Sequence, residues 1–257
     1  MKKAIIYTLA FLAIQILVPL LMNQLLAVFL GGVQDSPSQS ATTMIIGLTA
    51  ASVCAVALFL YLRWANVSRS YVKSRPWGVL CWCGLAAVGA IIPSTCLQEL
   101  MPELPNFAEQ ELDEILRDRW GYFAVGLLAP VCEEIVFRGA ILRALLQWTP
   151  RHWVAIALSA VIFALVHANP AQMPHALLIG MLLGWLYFRT DSVVPGVAYH
   201  WVNNSVAYVI YNLYPSPDIR LIDIFGSERA VAAAVLFSLF ILLPALYQLH
   251  LQLRKAA

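Results

Sequence analysis

Eight apolar runs limit what this chain can fold into. They extend from about Ala4 to Leu30, Thr42 to Leu62, Gly78 to Leu97, Trp120 to Leu146, Trp153 to Ala168, Pro174 to Phe188, Pro195 to Leu213 and Arg229 to His250. A helix needs about 20 apolar residues to cross the hydrocarbon of a bilayer, and most of these runs have that length. Inside lipid every backbone polar group must be satisfied internally, so only helices and closed barrels span it. Barrel strands alternate apolar and polar residues, whereas these runs are continuous. The expectation is an all-α, polytopic helical membrane bundle of about eight transmembrane helices. A chain of 257 residues that is 61% hydrophobic and 12% charged lies outside the range of a soluble domain.

The first run follows Lys2 and Lys3, as a signal peptide would, but it is too long for one and reads as a span. Loop charge then sets the orientation. Threading eight spans puts eleven of the 16 Lys and Arg residues on the side of the two termini and four on the other, with Arg138 in the membrane. The positive-inside bias therefore places both termini in the cytoplasm, in what is expected to be the cell (inner) membrane. Between the third and fourth spans, residues 98–119 carry seven acids against two bases. Apolar residues recur there at helical spacing (Phe107, Leu112, Ile115, Leu116), which fits an amphipathic surface helix with a solvated acidic face. The expected organisation is one integral membrane domain. It comprises residues 1–119 with the first spans and the acidic outer loop, a core at 120–213 and a last span within 214–257. The five cysteines fall in or beside apolar spans without metal or redox spacing, and small apolar packing accounts for them.

Within the fourth run stands Cys132-Glu133-Glu134-Ile135-Val136-Phe137-Arg138. Of the 14 acidic residues only Glu133 and Glu134 lie deep in an apolar segment, where each ionised carboxylate costs several kcal/mol or more unless paired or wetted. Glu134 and Arg138 are four apart with the acid first, so they stack on one helix face and can pair. Glu133 points about 100° away from that face. One carboxylate is thus expected to be structural and one free for chemistry, the alternative being a triad that only locks helix packing. Other polar groups interrupt later runs. His167 ends Phe163-Ala-Leu-Val-His167, and His200 and Asn204 share one helix face in His200-Trp-Val-Asn-Asn204. Intramembrane polar groups usually face the bundle interior, so these have a reason to converge.

A carboxylate with a histidine can hold and deprotonate water. A second histidine and an asparagine can donate hydrogen bonds to a developing oxyanion. Together they suit attack of water on an amide. Glu133, His167 and His200 could instead hold a divalent metal such as zinc with an open position, although the HExxH spacing is absent. Water activation with and without a metal both stay open.

These residues resemble the three motifs of the CAAX-processing and bacteriocin-processing membrane protease family, also called the Abi family. The motifs are Glu133-Glu134-x-x-x-Arg138, Phe163-x-x-x-His167 and His200-x-x-x-Asn204. Asn169-Pro170, the Gly180/Gly184 helix and Gly184-Trp-Leu-Tyr-Phe-Arg-Thr-Asp-Ser192 are similar to it as well, so the resemblance covers about residues 120–213. It implies an all-helical intramembrane endopeptidase, similar to the type II CAAX prenyl endopeptidases, with membrane lipid around it and a hydrophobic or lipidated peptide as substrate. No nucleic-acid partner is expected. Carried over, Glu133 would activate water with His167, His200 and Asn204 would stabilise the oxyanion, and Glu134 and Arg138 would be the supporting pair. The resemblance leaves open whether a metal takes part; if one binds, Glu133, His167 and His200 are its expected ligands. The competing readings are a non-catalytic scaffold or immunity or sequestering protein of the same fold, and a proton-coupled transporter. One tension stays in the sequence. With straight spans His167 falls near the outer end of the fifth and His200 near the inner end of the seventh, about 30 Å of hydrocarbon apart, which calls for short, tilted helices.

Overall fold

The computed structural model describes residues 1–29, 37–216 and 219–255. Residues 30–36, which hold most of the polar turn expected over Gly31–Ser40, lie outside them. Among the described residues the chain is helical, without strands. Three long helices come first: α1 (Lys2–Phe29), α2 (Pro37–Tyr61) and, after the short α3 (Arg69–Lys73), α4 (Trp77–Glu99). The acidic stretch forms α5 (Glu109–Arg117). Its Ile115 and Leu116 are buried while Glu109 and Glu111 are exposed, an amphipathic arrangement, although Asp113 turns inward to accept a hydrogen bond from Tyr211; Phe107 precedes the helix and stays exposed.

The fourth run does not form one regular helix. It is π-helical over Tyr122–Leu128, α-helical over α6 (Ala129–Glu133), π-helical again over Glu134–Leu142, and α-helical over α7 (Arg143–Trp148). The chain then folds into α8 (His152–Val166), α9 (Met173–Thr190), α10 (Val194–Leu213), the short α11 (Leu221–Phe225) and α12 (Glu228–Gln252). Pro174 and Pro195 stand in the first turns of α9 and α10, where a missing N–H leaves no hydrogen bond unmade.

Each of the eight apolar runs contains helix, but they are not equal as spans. Four helical stretches are long and apolar enough to cross a membrane, Lys2–Phe29, Ala41–Tyr61, Trp77–Glu99 and Glu228–Gln252. Their surfaces are those of a protein solvated by lipid. On α1 and α12 the large apolar side chains point outward, with Leu17 62% and Phe240 76% exposed. Patches of that size do not survive in water on a monomeric protein. The core lies instead among the π-helical segments and α6–α10, where Phe137, Ile141, Leu142, Leu145, Ile156 and Phe163 are closed off. With 15 residues, α8 is only about 22 Å long and falls short of the hydrocarbon thickness. That shortness removes the conflict between His167 and His200, because α8 ends inside the bundle.

α8 and α9 cross closely. A Cβ built at Gly180 would stand 2.9 Å from Ala160 Cβ, and one at Gly184 would stand 2.9 Å from Ile156 Cγ2. The small-xxx-small spacing of α9 is therefore what lets the two backbones meet. Gly180→Val is expected to force α9 off Ala160 and to lower the thermal unfolding midpoint in detergent, an overpacking cost of about 1–3 kcal/mol. Gly78→Ala, whose Cβ meets only Gln252 Oε1 at 3.5 Å, should leave the midpoint unchanged.

Candidate active site

The site begins with a carboxylate out of reach of solvent. Glu134 is 0% and Arg138 1% exposed, and Arg138 Nη1 donates to Glu134 Oε1 over 2.7 Å. A lone ion pair seldom compensates its own desolvation, and this pair is not alone. His200 Nδ1 lies 3.1 Å from the same Glu134 oxygen. Arg138 Nη2 donates to the Gly180 carbonyl at 3.3 Å, and the guanidinium carbon stands 4.5 Å from the centroid of the Phe163 ring. The second π-helical segment, α8, α9 and α10 are thus all tied to one charge pair. Gly196 makes room for it on α10, since a Cβ there would come within 2.5 Å of Glu134 Oε2.

Phe163 is the apolar centre of the arrangement. Its ring packs edge-on against Phe137 at 5.0 Å, His167 at 4.9 Å and His200 at 6.0 Å. Both histidines are therefore held around one buried ring, and the separation suggested by straight spans does not arise. His167 caps α8, with Nδ1 2.7 Å from the Phe163 carbonyl oxygen. A carbonyl only accepts, so Nδ1 carries the proton and, in the neutral ring, Nε2 keeps its lone pair. The His167 turn is fixed by the left-handed Ala168 (φ 51°) and by the fully buried Asn169, which accepts from Phe107 N–H (3.1 Å) and donates to Asn106 Oδ1 (2.8 Å). The loop before α5 is thereby strapped across the turn between α8 and α9.

Glu133 sits one residue before the second π-helical segment and differs from its neighbour. Its side chain is 22% exposed, and Oε2 lies 3.7 Å from His200 Nε2. His200 therefore bridges the two acids, Nδ1 toward Glu134 and Nε2 toward Glu133. No hydrogen bond or ion pair joins Glu133 to His167 among the described residues.

Asn204 is held by a backbone irregularity. In the first π-helical segment the Ala129 N–H reaches back to the Ala124 carbonyl. The next carbonyl in that i→i+5 pattern, Val125, would need the N–H of residue 130, which is a proline and has none. Asn204 Nδ2 fills the gap, donating to Val125 O at 3.0 Å, while its Oδ1 accepts from Asn203 Nδ2 at 3.2 Å. One amide hydrogen of Asn204 is left over. The same face of α10 is pinned further along by Tyr122, whose hydroxyl meets Ser205 Oγ and Trp201 Nε1, each at 3.0 Å.

Sequence reasoning passed over His175. It stands in the first turn of α9, its Nδ1 is buried without a protein partner, and it lies within electrostatic range of His167 and His200. Its position one residue after Pro174, at the edge of a span, gave no spacing relation to the other polar groups.

The arrangement does not form a ligand set for a resident metal. Among the described residues no group of three or more His, Cys, Asp or Glu side chains is placed to hold an ion. The Nδ1 atoms of His167 and His200 are engaged by the Phe163 carbonyl and Glu134, and His200 Nε2 faces Glu133 directly. Glu133, His167 and His200, the ligands expected for zinc, thus do not fit one as they stand, and no step below passes through a metal.

A helical bundle with lipid-facing long helices around a buried acid–histidine centre is an integral membrane protein with a polar core. Residues 116–206 match the family described as type II CAAX prenyl endopeptidase Rce1-like. That stretch includes every motif residue named above and about a third of the chain. No curated protein and no solved structure gives a significant match.

Two outcomes are expected of this geometry. Arg138→Met strands a buried carboxylate and should destabilise the fold by about 3–5 kcal/mol; removing both charges, in Arg138→Met/Glu134→Gln, should cost less than the sum of the single changes, as unfolding midpoints will register. Asn204→Ala leaves Val125 O unsatisfied, a loss of about 1–3 kcal/mol. Adding Pro130→Ala restores a backbone donor and should recover part of it. Strict additivity of those two changes would contradict the π-helical account.

Proposed function

We propose that this protein is an intramembrane endopeptidase that hydrolyses a peptide bond of a membrane-associated substrate, with water activated by Glu133. The observation that carries the reading is the asymmetry of the adjacent acids: Glu134 is sealed and paired, while Glu133 is partly open and faces an imidazole. A hydrolase needs one carboxylate that water can reach.

In the proposed reaction a water between Glu133 and His167 Nε2 attacks the carbonyl carbon and gives its proton to this acid–base pair. The carbonyl π electrons move to oxygen. His200, carrying a proton on Nε2, and the remaining amide hydrogen of Asn204 donate to that oxyanion. The oxyanion electrons then re-form the carbonyl, the C–N bond breaks, the proton held by Glu133 and His167 passes to the leaving amine, and the other product leaves as a carboxylic acid that gives its remaining proton to solvent. Glu134 keeps its hydrogen bond to His200 Nδ1 and so fixes the ring.

The machinery is assigned to residues 120–213, with residues 1–119 and 214–257 supplying flanking helices. The substrate class we infer is a hydrophobic or prenylated peptide entering from the cytoplasmic leaflet. Support comes from the family match and from the basic loops on the side of the termini, if eight segments cross the cell membrane with both ends inside.

The test is cleavage of a quenched fluorescent prenylated peptide by the purified protein in detergent, beside its unprenylated form. Glu133→Gln and His167→Ala should each lower kcat about 10²–10⁴-fold, with little change in unfolding midpoint for the partly exposed Glu133. Asn204→Ala should lower it about 10²–10³-fold. Full activity in Glu133→Gln would refute the mechanism. Loss of activity on chelation, restored by zinc, would return a metal to the step.

A further inference from the structure

One end of the bundle carries a second polar cavity, away from the paired acids. Lys3 is the second residue of α1, Arg63 follows the end of α2, and Arg143 is the first residue of α7. Their side chains line a cavity of about 140 Å³ together with Tyr7, Trp64 and Gln147. No acidic residue lines it. Among the described residues none of the three cations forms a salt bridge. Three positive charges around a half-open pocket without a counter-charge create a field that selects anions. Guanidinium groups add planar donor pairs that match phosphate oxygens.

The wall is built in advance of any ligand. Arg63 occupies the left-handed region (φ 56°), which a non-glycine residue adopts only when its surroundings hold it there. Those surroundings are visible: the Trp64 and Ala65 N–H groups both donate to the Phe59 carbonyl (2.9 and 3.2 Å), and Asn66 N–H donates to Gly139 O (3.1 Å). The Trp64 ring packs against Tyr7 at 4.8 Å and Phe59 at 5.3 Å. The loop after α2 is therefore clamped to α1 and to the second π-helical segment. Its level in the membrane follows from the helices. α1 starts and α2 stops there, so the cavity lies at the edge of the hydrocarbon, with a Tyr and a Trp at the depth of an aromatic belt. Glu133 is ten residues from Arg143, on the order of 15 Å along a helix, so this is a different site.

We propose that this cavity is a phosphate-binding site that takes the headgroup of an anionic phospholipid, with Lys3, Arg63 and Arg143 as its ligands. The chemistry recognised is a phosphate bearing net negative charge, and the edge of the hydrocarbon is where lipid phosphates lie. The site does not depend on the peptidase reading, and its test does not use peptide cleavage.

The experiment titrates phosphatidylglycerol, phosphatidylcholine and inorganic phosphate into the full-length protein in a phosphate-free maltoside detergent. It reads the unfolding midpoint and, by native mass spectrometry, the bound lipid. Phosphatidylglycerol should raise the midpoint and remain bound, and phosphatidylcholine should do neither. Lys3→Gln and Arg63→Gln, both on exposed side chains, should each weaken phosphatidylglycerol binding about fivefold. Lys73→Gln, an exposed cation on α3 outside the cavity, should have no effect. Inorganic phosphate at millimolar concentration should displace the lipid from the wild-type protein. Phosphate that binds as tightly as the lipid would assign the cavity to the free ion and overturn the lipid. Unchanged lipid binding in the Lys3→Gln/Arg63→Gln variant, or equal loss in Lys73→Gln, would overturn the site.

Discussion

Everything near the buried polar centre depends on how Glu134 and Arg138 are accommodated without water. Coulomb attraction at 2.7 Å does not by itself offset the loss of two hydration shells. The remainder comes from groups on other helices: an imidazole from α10, a carbonyl from α9 and an aromatic face from α8. The dependence is mutual. The pair needs three helices to be satisfied, and those helices are held in register by the pair. In lipid, where burying apolar surface drives little helix association, a buried polar junction of this kind is a main source of specificity. It also explains the glycines. Gly180 offers its carbonyl to Arg138 while touching Ala160, and Gly196 lies against Glu134 Oε2; at either position a side chain would separate the helix from the charge it helps to satisfy.

The two π-helical segments belong to the same account. A π turn exposes backbone groups that an α-helix would pair internally, and in hydrocarbon such groups must find partners. Val125 is the clearest case, because Pro130 removes its only regular donor and Asn204 replaces it. Asn204, proposed above to bear on an oxyanion, is thereby oriented by a backbone irregularity in a neighbouring helix.

Much of this could be read from the sequence for physical reasons that are local. Each continuous apolar run marked a stretch that is helical, and the spacing of Glu134 and Arg138 indicated their pairing. Spacing also separated Glu133 from Glu134, because adjacent residues on a helix cannot share a face. The rest depended on relations between helices. That one imidazole, His200, bridges both acids requires knowing that α10 approaches the fourth run at Gly196. His175 has no spacing relation to any motif and joins the cluster only because α9 starts beside it. Span lengths were misleading in one respect. The fourth run has the composition of a straight crossing, yet π turns at Tyr122–Leu128 and Glu134–Leu142 break its regularity. Hydropathy cannot register a change of helical pitch.

The pattern of exposure follows the pattern of partners. Polar side chains engaged on several sides by protein are closed off: Glu134, Arg138 and Asn169 are at most 1% exposed, although Glu134 Oε2 and Arg138 Nε make no hydrogen bond, and His200, with an acid at each ring nitrogen, is 5% exposed. Those with capacity left over, Glu133, His167 and Asn204, are only partly buried. A membrane-embedded hydrolase has two opposing requirements, to bury charges that organise the site and to admit water to the charge that reacts. In the reaction proposed above the requirements would fall on consecutive residues, across the junction where α6 gives way to a π-helix. Glu133 and Glu134 are chemically identical. The difference in their surroundings comes from one helical step, which leaves the first 22% exposed and turns the second toward Arg138.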